Sequence, residues 1–311
     1  MTAAHDARAT HVASEKGARA VTRASLARMP LPQPDAAGDK DARGRVLAVG
    51  GSASVPGAIL LAGVAALRAG AGKLQLATVA SAAPALGVAV PESLVVALPF
   101  ARSGEISGVR AAATLRDYAA TVDALLIGPG MTSDRAAHAL IAALAPRLRP
   151  EATLVLDAAA ILALRHDPTL VHSLGGRVVL TPHAGEMASL LGILKERVEE
   201  SPAEIARAAA RQFHAVVTLK GAVSWIATPD GALHRYGEGT VGLATSGSGD
   251  TLAGIVAGLA ARGASAERAA VWGAFLHGAA GRVLARRLGP IGFLARELLD
   301  EVPRLLHTTR R

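Results

Sequence analysis

Arg45-Val46-Leu47-Ala48-Val49-Gly50-Gly51-Ser52-Ala53-Ser54-Val55-Pro56-Gly57-Ala58 passes from a short apolar run, through a loop of small residues, into an Ala/Leu-rich segment at 57–69. A continuous apolar run of this length, bounded by glycines, reads as a strand buried on both faces. The Ala/Leu spacing that follows reads as a helix lying against it. The same alternation recurs along the chain. Further β-prone runs lie at 73–78, 94–98, Ala124–Ile127, Thr153–Leu156, 177–180 and Val216–Leu219, with helical stretches between most of them, such as 136–144. This is the pattern of successive βαβ units, and it predicts a single α/β domain with a mostly parallel central sheet flanked by helices on both faces. Ser224–Ala227 and Leu233–Tyr236 flank Thr228-Pro229-Asp230-Gly231, which predicts an antiparallel hairpin. From Gly249 onward the chain reads as helices, and it holds no internal repeat.

Residues 1–43 are rich in Ala, Arg, Asp and Pro, and show no sustained apolar period. They read as a partly disordered tail, with Met29-Pro30-Leu31-Pro32 as its candidate for packing on the body. The folded domain is expected at 44–311. Across its 311 residues the chain carries 33 Lys and Arg against 25 Asp and Glu, a net charge of +8. These charges are scattered, and aromatics make up only 3%, so there is no basic run interleaved with stacking rings; nucleic-acid binding is not expected. The absence of cysteine excludes disulfides, thiolate nucleophiles and zinc–thiolate sites. No apolar run reaches the roughly 18 residues that a membrane span needs, and the N-terminus lacks a signal-peptide core. A cytoplasmic protein without a membrane partner is expected.

In open α/β sheets ligands bind beyond the carboxyl ends of the strands, so the loops there carry the candidate chemistry. Gly50-Gly51-Ser52 opens a helix and lets backbone N–H groups approach a phosphate or ribose, or is simply a tight βα turn. Gly128-Pro129-Gly130-Met131 is a rigid turn with exposed backbone. Asp157, at a strand end, either holds a metal-bound water or substrate hydroxyl, or caps the next helix. His183 and Glu186, in Thr181-Pro182-His183-Ala184-Gly185-Glu186, either meet substrate or a hydrated cation, or are a loop histidine and a helix-start carboxylate. Lys220 can touch a phosphate or ribose, or be an ordinary strand-end lysine. The strongest element is Ala244-Thr245-Ser246-Gly247-Ser248-Gly249-Asp250-Thr251. Its glycines free the backbone to wrap an anion at a helix start. Asp250, at the edge of that hole, can accept a proton from a hydroxyl attacking phosphorus, or merely complement the helix dipole.

In this order the loops resemble the NAD(P)H-hydrate dehydratases of the ribokinase-like superfamily, over about residues 44–306. Leu180-Thr181-Pro182-His183 with Gly185-Glu186, combined with Gly247-Ser248-Gly249-Asp250, carries the resemblance. It implies that hydrated NAD(P)H is phosphorylated on its ring hydroxyl by ADP or ATP, with Mg²⁺, and that loss of phosphate restores NAD(P)H. It further implies that Asp250 is the base, that Ala58, Gly130, His183 and Asp250 contact the hydrate, and that Lys220, Gly221, Ala222, Val223, Ser224 and Gly249 contact the nucleotide. Implied partners are a separate hydrate epimerase and further copies of the chain, as a homo-oligomer, often a tetramer. No metal-ligating residue is assigned.

Three departures touch the ligand face. The family usually reads D-A-D-A-L where this chain has Asp157-Ala158-Ala159-Ala160-Ile161; G-N-P-G-x-A where it has Gly239-Thr240-Val241-Gly242-Leu243-Ala244; and P-H-P-G-E where it has Pro182-His183-Ala184-Gly185-Glu186. Two alternatives follow. One is a kinase of the same superfamily acting on a vitamin-like alcohol, against which the Thr181-to-Glu186 motif argues. The other is a nucleotide-binding protein with decayed catalysis, which the lost second Asp favours and the retained Asp250 opposes.

Overall fold

The computed structural model describes residues 17–33 and 40–309. Its strands are β1 (Arg19–Ala20), β2 (Arg45–Val49), β3 (Lys73–Val79), β4 (Ser93–Leu98), β5 (Ala124–Ile127), β6 (Thr153–Leu156), β7 (Val178–Leu180), β8 (Val216–Leu219), β9 (Ser224–Ala227) and β10 (Leu233–Tyr236). They form one sheet in the order β1-β10-β9-β8-β7-β6-β5-β2-β3-β4. Every described pairing is parallel except those of β9 with β8 and β10. The predicted parallel sheet and hairpin are therefore present, within a residue or two of the expected limits.

Alternate residues of each strand feed two cores. Val46 and Ala48 face one layer, which holds the helices Gly57–Arg68, Ser248–Ala261, Ala266–Leu288 and Ala295–Thr309. Leu47 and Val49 face the other, which holds Gly108–Ala119, Asp134–Leu144, Ala184–Leu191 and Pro202–Gln212. With few aromatic rings, both cores are built from Ala, Val, Leu and Ile, and small side chains let elements approach closely. A Cβ added at Gly254 would lie 2.1 Å from the Ala62 carbonyl oxygen, and one at Gly258 would lie 2.3 Å from that of Ala66. The helix Ser248–Ala261 thus rests backbone-to-backbone on Gly57–Arg68. It is apolar and buried nearly all round, as a helix sandwiched between a sheet and other helices must be.

The sheet order reverses beside β2, whose neighbours are β3 and β5. At that switch point the loop after β2 meets the loop after β5, and the Gly51 N–H donates to the Pro129 carbonyl at 2.7 Å. Among the described residues, no helix is long and apolar enough to cross a membrane.

The expected tail is different where the structure describes it. β1 pairs in parallel with β10, Arg19 opposite His234. The helix Arg23–Ala27 starts with a capping box between Thr22 and Ser25. Val21, Leu26 and Leu31 are buried against the first core. The Trp272 indole N–H donates to the Met29 carbonyl at 2.7 Å, and the Arg262 guanidinium to that of Pro32 at 3.1 Å. A boundary at residue 43 is thus corrected for this segment. Three well-placed apolar side chains bury it without making any period for the sequence to display. The tail reading for residues 1–16 and 34–39 falls outside the described residues. Leu26 is fully buried, so Leu26→Ala is expected to destabilise the protein by about 2–5 kcal/mol in chemical denaturation; an unchanged midpoint would show that the segment adds nothing to the fold.

Candidate active site

A cavity of about 620 Å³ opens beyond β8, between the β9–β10 hairpin and the helices Ser248–Ala261 and Ala266–Leu288. His183, Lys220, Gly221, Ala222, Ser224 and Gly249 all line it. Six of the expected site residues thus converge on one space. Val223 does not line it; its side chain packs against the second core instead. The chain bends at residues 221–223 before β9 starts at Ser224, and this bend turns Val223 away from the neighbours on either side of it. Ala58 and Gly130 lie together at the switch point, where a Cβ on Gly130 would come 2.9 Å from that of Ala58.

Gly247 begins the anion hole in the left-handed region, at φ +85°, and a Cβ there would strike Leu61 at 2.5 Å. Only glycine turns the chain here without strain. The helix then starts at Ser248, whose N–H donates to the Thr245 carbonyl at 3.2 Å, and the N–H groups of Gly249 and Asp250 in its first turn have no intrahelical partner.

Beyond β7 and β8 the chains stay side by side. His183 bridges Lys220, and the Lys220 N–H donates to the Pro182 carbonyl at 2.8 Å. His183 is the N-cap of Ala184–Leu191: its Nδ1 accepts from the N–H groups of Gly185 (3.0 Å) and Glu186 (3.2 Å). The Glu186 carboxylate in return accepts from the His183 N–H at 2.8 Å, completing a capping box. His183 and Glu186 therefore do the structural work of a helix start, with the imidazole still at the cavity wall. Ala184 is the first residue of this helix. Proline suits that position only because its N–H has no intrahelical partner there anyway, so alanine in its place is a mild departure.

Asp157 is not a helix cap. Its carboxylate, 3% exposed, accepts from the Thr181 hydroxyl at 2.7 Å and pairs with Lys220 Nζ at 3.2 Å. Glu186 lies 3.7 Å from the same ammonium. Burial would pull the Lys220 ammonium down, but Asp157, Glu186 and Asp250 outweigh it and hold the group above its ordinary value. Asp250 is pushed up to about 7, first by burial and then by the charges of Asp157 and Glu186, against the opposing pull of Lys220. The lost second carboxylate is Ala159, buried at the first position of the helix Ala159–Leu162.

Two features of the wall, His277 and Tyr236, escaped the sequence, and a third, Thr240, was visible there as a departure from the family's Asn. His277 hydrogen-bonds Ser248 Oγ through Nε2 at 2.9 Å; burial and then Lys220 pull it down to about 4, so the ring is neutral. It was hidden as a lone histidine in a long apolar helix. Tyr236, raised to about 12 mainly by burial, accepts from Arg282 at 2.8 Å. Thr240, standing where the resemblance has Asn, lines the cavity with its hydroxyl oxygen buried and without a partner.

Fold and site together define a ribokinase-like α/β protein. A ribokinase-like superfamily protein from Enterococcus faecalis V583 superposes with a TM-score of 0.79 at 25% identity, covering 94% of this chain and 97% of that one. A Bacillus subtilis ADP/ATP-dependent NAD(P)H-hydrate dehydratase, co-crystallised with ATP/Mg²⁺, superposes with a TM-score of 0.78 at 28% identity, covering 94% and 99%. An ADP-dependent (S)-NAD(P)H-hydrate dehydratase of Xanthomonas campestris is 54% identical over 290 residues, 93% of this chain and 96% of that protein. The family model described as NAD(P)H-hydrate dehydratase matches residues 46–304. The chain belongs to the NAD(P)H-hydrate dehydratase family.

Asp250 also makes a stability prediction that is independent of its role. Its folded value of about 7 lies above its ordinary 3.8. Above pH 7 the buried charge is present only at a cost to the folded state, and that cost fades as pH falls through 7 towards 3.8. Asp250→Asn is therefore expected to raise the thermal midpoint at about pH 8, by a margin that vanishes near pH 4. A margin that instead grows at low pH would contradict the burial of this carboxylate.

Proposed function

We propose that the protein returns (S)-NAD(P)H hydrate to NAD(P)H at the expense of ADP or ATP, with Asp250 as general base. The observation that carries this reading is a carboxylate of raised basicity placed at the edge of a glycine-lined helix start, beside a cavity of nucleotide size. The phosphates would sit on the N–H groups of Gly249 and Asp250, with Lys220 as cation. The nucleoside would follow Gly221, Ala222 and Ser224 toward the apolar end of the cavity, at Tyr236, Leu243 and Ala274. The hydrate would approach from the side of Ala58, Gly130 and His183.

In this arrangement Asp250 takes the proton of the ring hydroxyl as its oxygen attacks the terminal phosphorus, and the bond from phosphorus to the leaving nucleotide breaks. The carbon–oxygen bond to the new phosphate then breaks and phosphate departs with the bonding pair; the neighbouring ring carbon gives up a proton to solvent, and the ring double bond reforms. Charge on the transferring group is met by preorganised N–H groups and Lys220. Mg²⁺ enters this reading as part of the nucleotide substrate, held chiefly by phosphate oxygens and water. The reading includes a separate epimerase that supplies the (S) form, and a cytoplasmic homo-oligomer of tetrameric size, which sedimentation measures.

The test is to mix the protein with hydrated NADH, Mg²⁺ and either ADP or ATP, and to follow the return of reduced-nicotinamide absorbance. Turnover is expected, with kcat/KM rising as pH passes upward through about 7, the value at which Asp250 loses its proton. Asp250→Asn should lower turnover by about 10²–10⁴-fold with little change in nucleotide affinity. Nucleotide binding without turnover would favour the decayed binder. Near-normal turnover of Asp250→Asn would remove the base.

A further inference from the structure

Lys220 raises a difficulty for the mechanism just given, on which the following inference rests. An ammonium in direct contact with Asp250 would form a tight buried pair, and a carboxylate so paired is a poor proton acceptor. The structure avoids that pairing. Among the described residues, the ion pairs of Lys220 are with Asp157, at 3.2 Å, and Glu186, at 3.7 Å, while Asp250 acts on it through the field alone.

Each anchor is itself held. Asp157 is 3% exposed and takes the Thr181 hydroxyl on the same oxygen that meets Lys220. Glu186 is tied by the His183 N–H, and the side chain of Lys220 is only 18% exposed. The main chain that carries Lys220 is also fixed, its N–H donating to the Pro182 carbonyl at 2.8 Å. The groups facing this centre come from every element around it: Asp157 after β6, His183 and Glu186 at the start of Ala184–Leu191, Lys220 after β8, Asp250 on Ser248–Ala261, and the neutral His277 on Ala266–Leu288.

We propose that Asp157 and Glu186 are positioning residues for the reaction: they hold Lys220 at the mouth of the anion hole, where it can meet a phosphate, and they keep it off Asp250 so that this carboxylate stays free to take the substrate proton. A dual hold also explains why one buried lysine is given two carboxylates when a single partner would neutralise it. The chemistry requires a cation near the leaving phosphate and a free base beside the attacking hydroxyl. Two additional anions reconcile these needs in a small space.

The signature is the acidic limb of the kcat/KM profile. Removing either anchor lets Lys220 bear more fully on Asp250, and also removes a repelling charge. Both effects favour the ionised carboxylate. Glu186→Gln keeps the capping box, since glutamine serves at that position, and is expected to move the limb to lower pH by about half a unit. Asp157→Asn should move it by about one unit, and the double variant further, with kcat falling as the base weakens. Lys220→Met should move the limb the opposite way, to higher pH, and raise the KM for nucleotide. A residue that merely supports the fold would lower activity or thermal midpoint with the limb unmoved. If Asp157→Asn fails to fold, Glu186→Gln carries the test alone. An unmoved limb in Glu186→Gln, or a shift to higher pH, overturns the proposal. Failure of the underlying reading is distinguishable, because it shows as retained turnover in Asp250→Asn, whatever the anchors do.

Discussion

At Gly254 and Gly258 the helix Ser248–Ala261 lies against the carbonyl groups of Ala62 and Ala66, closer than any side chain would permit. That contact draws together two helices that start at different strand ends. Gly57–Arg68 begins at the loop after β2, and Ser248–Ala261 begins at the anion hole. The expected substrate contact at Ala58, with Gly130 packed against it, and the expected base at Asp250 therefore sit at the adjacent starts of two helices that touch along their length. Any side chain at Gly254 or Gly258 would have to force the helices apart, and would open the space between the loops as well.

The centre beside this contact is arranged at an electrostatic cost. Asp250 is buried among like charges, and the carboxylates around Lys220 offset the burial that would otherwise pull its ammonium down. Such groups are poor devices for holding a fold together. The apolar cores bear that task, through Ala, Val, Leu and Ile packed on both faces of the sheet. Stability and chemistry are thus assigned to different materials, and the same small residues serve both by letting backbones close around the polar centre.

Much of this was legible in the sequence. Parallel strands buried on both faces leave continuous apolar runs, and these appeared at nearly their full limits, as at Arg45–Val49 and Ala124–Ile127. The strand-end loops pointed to His183, Lys220 and Gly249, and the resemblance added Gly221, Ala222 and Ser224; all six line the cavity. The partners of those residues were less visible. Nothing in Asp157 announces that its carboxylate meets Thr181 and Lys220, because all three lie on different strand ends and meet only through the sheet order. The resemblance places Val223 with the nucleotide contacts, and its side chain packs on the second core, a direction that the bend at residues 221–223 sets and the sequence does not display. The segment Arg19–Pro32 carried too few apolar residues to show a period, yet enough to pack.

The pairing of β1 with β10 sets an order of events for a growing chain. Arg19 meets His234, roughly 215 residues later, and the helix that receives Met29 holds Trp272 farther on still. As the polypeptide leaves the ribosome, the segment Arg19–Pro32 has no template until the chain has been extended past His234 and Trp272. The other parallel strands can assemble meanwhile from neighbours nearer in the chain. The segment Arg19–Pro32 is then made well before its partners and is among the last to dock, in the manner of a latch closed after the frame is built.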